Sequence, residues 1–321
     1  MTALADAVRA GDRRSLARAI TLVESTRVDH RDEAAALLDE LLPSTGGATR
    51  VGISGAPGAG KSTFVEALGL NLVDAGHEGA VLAVDPSSTL GGGSILGDKT
   101  RMEQLSRAPH AFIRPSPSGG TLGGVARRTR EAMLVCEAAG FDVVLVETVG
   151  VGQSEVAVAG IVDVFLLLLA PGAGDELQGV KRGIVELADL VVVNKADGAL
   201  ADLARHTASD YGHALHLLRP HTEGWSARVL TCSALQGVGI DEVWTVVEEF
   251  MAAARASGGL SRRRGEQARE WMWSEVSETV LERLRSDARV RADLDTLEAD
   301  VVAGRTSPTA AARLLLDRFS A

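Results

Sequence analysis

The sequence predicts an α/β fold in which a mostly parallel central sheet is flanked by helical extensions at both ends of the chain. Seven short runs rich in Val, Leu and Ile alternate with stretches whose apolar residues recur at helical spacing. Continuous apolar runs separated by amphipathic helices are typical of a parallel sheet that is covered on both faces. A glycine-rich turn joins the first run to a helical segment, as in a strand–loop–helix unit.

The predicted elements follow one another in a simple order. Helical spacing in residues 1–48 predicts an N-terminal extension that ends at PSTGG. The predicted strands of an α/β domain, residues 49–256, are RVGISG, AVLAVD, AFIRPSP, DVVLVET, VFLLLLA, LVVVNKAD and RVLTCSA. Residues 257–321 form a predicted helical arm, in which the basic run SRRRG, Ser261 to Gly265, is interpreted as a linker. Ser307 and Pro308 predict the cap and the first residue of its last helix.

Composition and charge limit the classes of partner. The chain has 321 residues, 45% apolar and 24% charged, with a net charge of −10. Nucleic acids and anionic membranes are themselves negative, so we expect neither as a partner. The longest apolar run, Val164 to Ala170, is much shorter than the roughly 20 residues that span a bilayer. The N-terminus lacks an apolar targeting segment, so the expected location is the cytoplasm.

The stretch GAPGAGKST carries the strongest chemical signal. It fits G-x-x-x-x-G-K-[ST], in which backbone N–H groups at a helix N-terminus surround phosphates. Lys61 is expected to reach the β and γ oxygens, and the Ser62 hydroxyl to bind Mg²⁺. The motif leaves open ATP or GTP, and hydrolase or kinase. The predicted nucleotide-binding residues of this loop are Gly55, Ala56, Pro57, Gly58, Ala59, Gly60, Lys61, Ser62 and Thr63.

A second motif, NKAD, favours guanine. It follows the apolar run LVVV, so Asn194 to Asp197 fall at the carboxyl end of a predicted strand. An Asp there accepts from guanine N1–H and from the 2-amino group, whereas adenine offers neither donor on that edge. Asn194 is expected to tie this loop to the phosphate loop, and the Lys195 stem to cover the base. The next predicted strand ends at CSA, which adds Ser233, Ala234 and Leu235 to the predicted nucleotide-binding residues.

The order GAPGAGKS, DPSS, ETVGVGQSE, NKAD and CSA resembles the GTPases whose third motif carries Glu instead of Asp. The segments DPSSTLGGGSILGDKTRM and RPSPSGGTLGGVA make the chain most similar to the MeaB/ArgK branch, chaperones of adenosylcobalamin-dependent methylmalonyl-CoA mutase. The resemblance implies a P-loop GTPase domain, a homodimer formed through the C-terminal helices, and a role in loading the mutase cofactor and in protecting or reactivating the enzyme. Nothing in the residues themselves indicates a cobalamin site in this chain.

Metal and catalytic candidates follow from the same motifs. Glu147 ends the run DVVLVE, at the position where most P-loop GTPases have an Asp that holds Mg²⁺. Gly150 would let the backbone approach a γ-phosphate. Asp85 and Asp98 lie on either side of the triple glycine; the residues favour Asp85, and the resemblance implies both. The predicted metal ligands are Ser62, Asp85, Asp98 and Glu147, and the predicted catalytic residues are Lys61, Asp98, Glu147 and Gln153.

Hydrolysis is expected to be slow without a partner. Val151 and Gly152 separate Gln153 from the glycine that it follows directly in small GTPases, and a valine cannot orient water. A partner that orders this region or supplies a cation would accelerate the reaction, by about 10³–10⁵-fold where an arginine finger is used. Lys99 and Arg101 could supply such a charge from within the chain.

Two other functions compete with this interpretation. The first is an ATP-using kinase or transport ATPase, which would be indifferent to Asp197→Asn. The second is a metal-insertion chaperone, for which the stretch RHTASDYGHALHLLRPH offers four histidines. The histidines are dispersed along a predicted amphipathic helix, which is more typical of a solvated face. The two cysteines, Cys136 and Cys232, have no spacing typical of a disulfide or zinc site and are interpreted as core residues.

Overall fold

The computed structural model describes residues 2–27, 29–85, 102–117, 122–148, 154–172, 182–216 and 222–320. The chain forms two compact units, Met1–Arg264 and Gly265–Ala321. The first unit contains the sheet and the N-terminal helices. The extents of the three regions expected from the sequence stay predictions.

The first unit is built on seven parallel strands in the order β3-β2-β4-β1-β5-β6-β7. Each of the seven predicted strands is confirmed. β1 lies at the centre, where Val51 pairs with Leu145 of β4 and with Val164 of β5. The strands are β1 Thr49–Gly55, β2 Gly79–Asp85, β3 Ala111–Pro117, β4 Val143–Thr148, β5 Val164–Leu169, β6 Leu190–Val193 and β7 Arg228–Thr231.

Helices precede, connect and follow these strands, as the alternating pattern predicts. In the first unit they are α1 Thr2–Arg9, α2 Arg13–Val23, α3 Asp29–Leu41, α4 Lys61–Asp74, α5 Glu103–Arg107, α6 Leu122–Ala138, α7 Ser154–Ala159, α8 Arg182–Leu187, α9 Ala201–His216 and α10 Ile240–Ala256. The helix α11, Gly259–Ser286, starts in the first unit and continues into the second, which also holds α12, Ala288–Val302, and α13, Pro308–Ser320. None of the helices described is both long and apolar enough to cross a membrane.

Apolar side chains of the sheet point alternately into two cores. Val144 and Val146 of β4 belong to one core, together with residues of α1–α3 and α6. Val143 and Leu145 belong to the other, together with residues of α4 and α10. Successive residues of a strand face opposite sides of the sheet, so a strand that is buried on both faces needs an unbroken apolar run. The N-terminal helices therefore complete one face of the α/β unit.

The basic run that the sequence suggested as a linker is instead the first part of α11, and this prediction is wrong. Arg264 donates to both carboxylate oxygens of Asp163 at 2.8 and 2.6 Å, and to the carbonyl oxygens of Gly46 and Ala48. Arg263 donates to both oxygens of Asp189 at 3.1 Å. These buried aspartates directly precede β5 and β6. The run therefore fixes the start of α11 at the amino edge of the sheet.

The electrostatics of this contact are those of a buried ion pair. Asp163 is fully buried and also accepts from the backbone N–H of Arg50 at 2.9 Å. Burial alone would lower the pKa of Arg264, but the hydrogen bonds to Asp163 and the charges of Asp163 and Glu137 together outweigh burial and raise the pKa. Removal of either partner would therefore leave the other without its partner in a largely buried position.

The helices α12 and α13 of the second unit begin with side-chain caps. Asp287 caps α12 and accepts from the backbone N–H of Arg289 at 2.8 Å. Ser307 accepts from the N–H of Ala310 at 3.2 Å, which confirms the predicted cap, and Pro308 is the first residue of α13. Large apolar side chains of α11 remain exposed in this unit. They are Met272, Trp273, Val276, Val280 and Leu281.

Candidate functional site

The turn between β1 and α4 forms the first part of the candidate site. A Cβ at Gly55 would lie 2.1 Å from the carbonyl oxygen of Leu168 on β5, so a larger residue cannot stand beside this strand. Gly58 and Gly60 have φ of +83° and +87°, which L side chains rarely adopt. Gly60 caps α4, and the helix begins at Lys61. The turn therefore brings the positive end of α4 to the carboxyl edge of the sheet.

Lys61 lies inside this turn. It is 9% exposed, and its Nζ donates to the carbonyl oxygens of Gly55 at 2.8 Å and Ala56 at 3.2 Å. Burial lowers the pKa of Lys61, whereas the charges of Glu147 and Glu155 act in the opposite direction. The Lys61 ammonium is thus held close to the turn and near the charges of two carboxylates. A polyphosphate bound at the turn would meet this positive charge.

The next residue, Ser62, meets the predicted metal candidate of β4. Its hydroxyl donates to Glu147 Oε1 at 3.0 Å. Glu147 is 3% exposed and is the penultimate residue of β4. The following residue, Thr148, donates to Ser54 Oγ of β1 at 2.9 Å and so ties the ends of these two strands together. Two oxygens that suit a hard cation therefore lie side by side where β4 meets the turn.

Asn194 joins the turn to the predicted base loop. Its Nδ2 donates to the carbonyl oxygen of Ala59 at 3.0 Å, and its Oδ1 accepts from the backbone N–H of Ala234 at 3.0 Å. Asn194 is 2% exposed, so these hydrogen bonds form away from water. One buried amide thus connects the phosphate turn, the base loop and the loop after β7. The sequence led us to expect the connection between the first two of these.

Asp197 and Ser233 form the far end of the site. The Ser233 hydroxyl donates to Asp197 Oδ2, and the backbone N–H of Ala196 donates to the carbonyl oxygen of Cys232 at 2.9 Å. Lys195 has a φ of +59°, an unusual left-handed conformation for a residue other than glycine. This conformation brings the side chain towards the phosphate turn, since Lys195 Cε would lie 3.8 Å from a Cβ at Gly60.

The loop after β7 completes this end of the site. Ser233 and Val238 form an isolated antiparallel bridge, and Gly239, with φ of +77°, caps α10. Leu235 at the tip of the loop is 81% exposed. The loop therefore holds Ala234 in place while it leaves an apolar side chain open to a ligand.

Several predicted site residues lie outside the described part of the chain. They are Asp98, Gly150 and Gln153, together with the cis cations Lys99 and Arg101. Asp85 is the last residue of β2, as predicted, and only its backbone is described. The metal and catalytic roles of these residues stay predictions.

Two residues of the site were missed by the sequence reasoning. Glu155 of α7 is 1% exposed, and its negative charge acts to raise the pKa of Lys61. Cys232, interpreted only as a core residue, is buried and also donates to Asn194 Oδ1 at 3.6 Å. Burial raises its pKa to about 12, so it stays a neutral thiol. The sequence does carry a signal for each residue. Glu155 is an acidic residue shortly after ETVGVGQ, and Cys232 directly precedes Ser233 and Ala234.

The histidine-rich stretch does not form a metal site within the described residues. Among them, no group of three or more His, Cys, Asp or Glu side chains could hold an ion. His206, His213 and His216 lie along α9, and His221 is outside the described part. Cys136 and Cys232 are both buried free thiols.

Comparison with known proteins agrees with this geometry. The family model for methylmalonyl-CoA mutase-associated GTPase MeaB matches residues 16–289. GTPase ArgK of Escherichia coli is 53% identical over 86% of this chain and 84% of its own. The methylmalonic aciduria type A homolog of Mus musculus, described as mitochondrial, is 51% identical over 96% of this chain and 77% of its own.

The solved structures agree with the family. A crystal structure described as LAO/AO transport system kinase is 41% identical and covers 100% of this chain and 97% of its own, with a TM-score of 0.78. By sequence and fold, this chain belongs to the MeaB family of P-loop GTPases.

Proposed function

We propose that this GTPase acts as a chaperone of adenosylcobalamin-dependent methylmalonyl-CoA mutase. In this role it would gate loading of the cofactor and protect or reactivate the mutase. The observation that carries the proposal is the match to the mutase-associated GTPase family over most of the chain. The nucleotide switch would lie in this chain, and the cobalamin chemistry would take place in the partner.

The nucleotide site supports GTP as the ligand. The ammonium of Lys61 would turn from the carbonyls of the turn to the β and γ oxygens. Asp197 would accept from guanine N1–H and the 2-amino group, with the Ser233 hydroxyl holding the carboxylate in place. Asn194 would keep the base loop at a fixed distance from the phosphate turn. These contacts would discriminate against adenine because the edge of adenine offers Asp197 no donor.

A magnesium ion fits the pair formed by Ser62 and Glu147. Their oxygens lie 3.0 Å apart at the phosphate turn, and both are of the type that Mg²⁺ binds. When bound, the ion would neutralise charge on the β- and γ-phosphates. Ser62 and Glu147 would hold it, and Asp85 at the end of β2 is the next candidate.

The homodimer is part of the proposal. Trp273, Val276 and Val280 recur at three- and four-residue steps on α11 and are 60%, 44% and 49% exposed. Apolar side chains at this spacing form one stripe along a helix. A stripe that the second unit leaves in water is the surface that a second copy would cover.

Copurification tests the chaperone role. Tagged protein, loaded with GDP or with a non-hydrolysable GTP analogue, is mixed with purified mutase, and the bound fraction is measured. Binding that differs between the two nucleotides would support a switch that the mutase reads. An absence of mutase binding in both states would contradict the proposal.

A rival function is suggested by the description of the solved structure as a transport system kinase. A kinase of that type would use ATP and transfer its phosphoryl group. Nucleotide competition distinguishes the GTPase from the kinase. GTP should displace bound GDP from a guanine site, whereas ATP should not. Equal displacement by both would favour the kinase.

A further inference from the structure

A cavity of about 490 Å³ lies beside the predicted nucleotide site and shares Thr63, Ala234 and Leu235 with it. We call it the α4 cavity. Its walls come from one face of α4, the start of α5 and the loop between β7 and α10. The residues that line it are Thr63, Glu66, Ala67, Leu70, Asn71, Asp74, Gln104, Ala234, Leu235, Gln236, Gly237 and Ile240.

The lining combines an apolar floor with acidic and amide groups. Ala67, Leu70 and Ile240 form the apolar part, and Glu66 and Asp74 supply two carboxylates. Three further side chains, of Asn71, Gln104 and Gln236, are amides, and no Lys, Arg or His is among the residues described around the cavity. Such a lining suits a long side chain with an apolar stem and a cationic head, because the stem can lie on the floor while the head meets the carboxylates.

Contacts between α4 and α5 fix one wall of the cavity. Glu66 Oε1 accepts from the backbone N–H of Gln104 at 2.8 Å, which holds the start of α5 against α4. Leu105 of α5 packs so closely on Gly69 that a Cβ there would lie 2.5 Å from Leu105 Cδ2. The chain enters α5 directly from the segment that carries Asp98. On the other wall, the backbone N–H of Ala234 donates a hydrogen bond to Asn194 Oδ1 of the base loop.

We propose that the α4 cavity receives a basic side chain of a partner protein, an arginine or lysine that is attracted by the negative charge of Glu66 and Asp74. The apolar stem of that side chain lies on Leu70. A bound partner would then touch α4, the start of α5 and the loop between β7 and α10 together. Naming methylmalonyl-CoA mutase as this partner rests on the function proposed above.

Charge removal tests the proposal. The double variant E66Q/D74N removes both carboxylate charges, while the amide oxygen introduced by E66Q would still accept from the Gln104 N–H. The matched control is E33Q/D39N, which makes the same change on exposed residues of α3. Affinity for purified mutase is measured at saturating nucleotide and at two salt concentrations. We expect E66Q/D74N to bind about tenfold more weakly than the control, with a smaller dependence on salt.

The outcomes separate the two proposals. If the wild type does not bind mutase, the chaperone function fails. If the wild type binds and E66Q/D74N binds as tightly as E33Q/D39N, the α4 cavity is not the docking site, and the chaperone function stands.

A labelling experiment gives a second readout that does not depend on charge. Both native cysteines are buried, so the variant Q236C introduces an exposed thiol at the rim of the cavity. Mutase is expected to slow its reaction with a maleimide at least about fivefold, and E33C serves as the control for the labelling chemistry. Equal labelling of Q236C with and without mutase would overturn the proposal.

Discussion

At the scale of single residues, the site depends on side chains that hold other site residues in place. Asn194 is the clearest case, because one amide bonds to the turn through Ala59 and to the loop after β7 through Ala234. Cys232 adds a third contact to the same amide. Buried groups of this kind need every hydrogen bond, since an unpaired polar atom away from water is costly. The position of Asn194 is thus fixed from several directions.

Asp197→Asn is expected to exchange the preferred base. The amide would present a donor where guanine also donates, so affinity for GTP should fall by about 10²-fold or more, and affinity for xanthosine triphosphate should rise. Competition binding with both nucleotides measures the exchange. The control is Ser233→Ala, which removes the hydroxyl bonded to Asp197 and should weaken GTP without improving xanthosine triphosphate. Unchanged GTP binding by the Asp197 variant would contradict the assignment.

At the scale of elements, the phosphate turn shows two different demands for glycine. Gly58 and Gly60 share the left-handed conformation, with φ of +83° and +87°. Around a Cβ at Gly58 nothing lies within 4 Å, whereas a Cβ at Gly60 would lie 2.7 Å from Asn194 Nδ2. The first position is limited by backbone conformation alone, and the second also by the side chain that links the two loops.

Gly60→Ala should therefore be more damaging than Gly58→Ala. The left-handed conformation costs each variant about 1–2 kcal/mol. Gly60→Ala must also displace Asn194, so we expect a further loss of GTP affinity and a lower melting temperature. Calorimetry and nucleotide titration of the pair test this difference. Equal effects in the two variants would mean that the contact with Asn194 is not limiting.

The start of α11 depends on ion pairs at the opposite edge of the sheet. Asp163→Ala leaves Arg264 without its carboxylate in a largely buried position, so we expect a loss of about 3 kcal/mol in the free energy of unfolding. Asp202→Ala is the control, since Asp202 pairs with Arg205 on the surface and should change stability by less than about 1 kcal/mol. Chemical denaturation gives both values. Similar losses would argue against a structural role for the buried pair.

At the scale of the whole molecule, the exposed apolar stripe of α11 is the surface that the proposed dimer would cover. Val276→Glu/Val280→Glu places two charges on this stripe, which should convert the expected dimer to a monomer while the first unit stays folded. Light scattering after gel filtration gives the mass, and nucleotide binding reports on the first unit. The control Glu270→Gln/Glu278→Gln changes charge on the same helix. A monomeric wild type would refute the dimer.

Much of the fold could be predicted because its signals are local. The seven strands are each a short apolar run, and burial on both faces requires that pattern wherever the run occurs. The glycines of the turn and the residues Lys61, Ser62, Asn194 and Asp197 stand in motifs of fixed spacing, so their chemistry is also local. The cap at Ser307 was predictable for the same reason.

The remaining features come from residues that are distant in the chain. The run SRRRG looks like a solvated linker until the fold brings Asp163 and Asp189 to Arg264 and Arg263. Glu155 looks like an ordinary helix-start acid until α7 brings it near Lys61. No spacing rule connects residues that meet only after the sheet has formed.

The sequence by itself therefore determined the strand order along the chain, the phosphate turn and the expectation of a guanine base, because each depends on neighbouring residues. The tertiary structure alone decided which strands lie side by side, how Asn194 joins two loops 135 residues apart, and where the α4 cavity opens. The physical reason is that pairing and packing energies come from contacts in the folded chain. Each such contact needs two residues, and only the fold brings distant residues together.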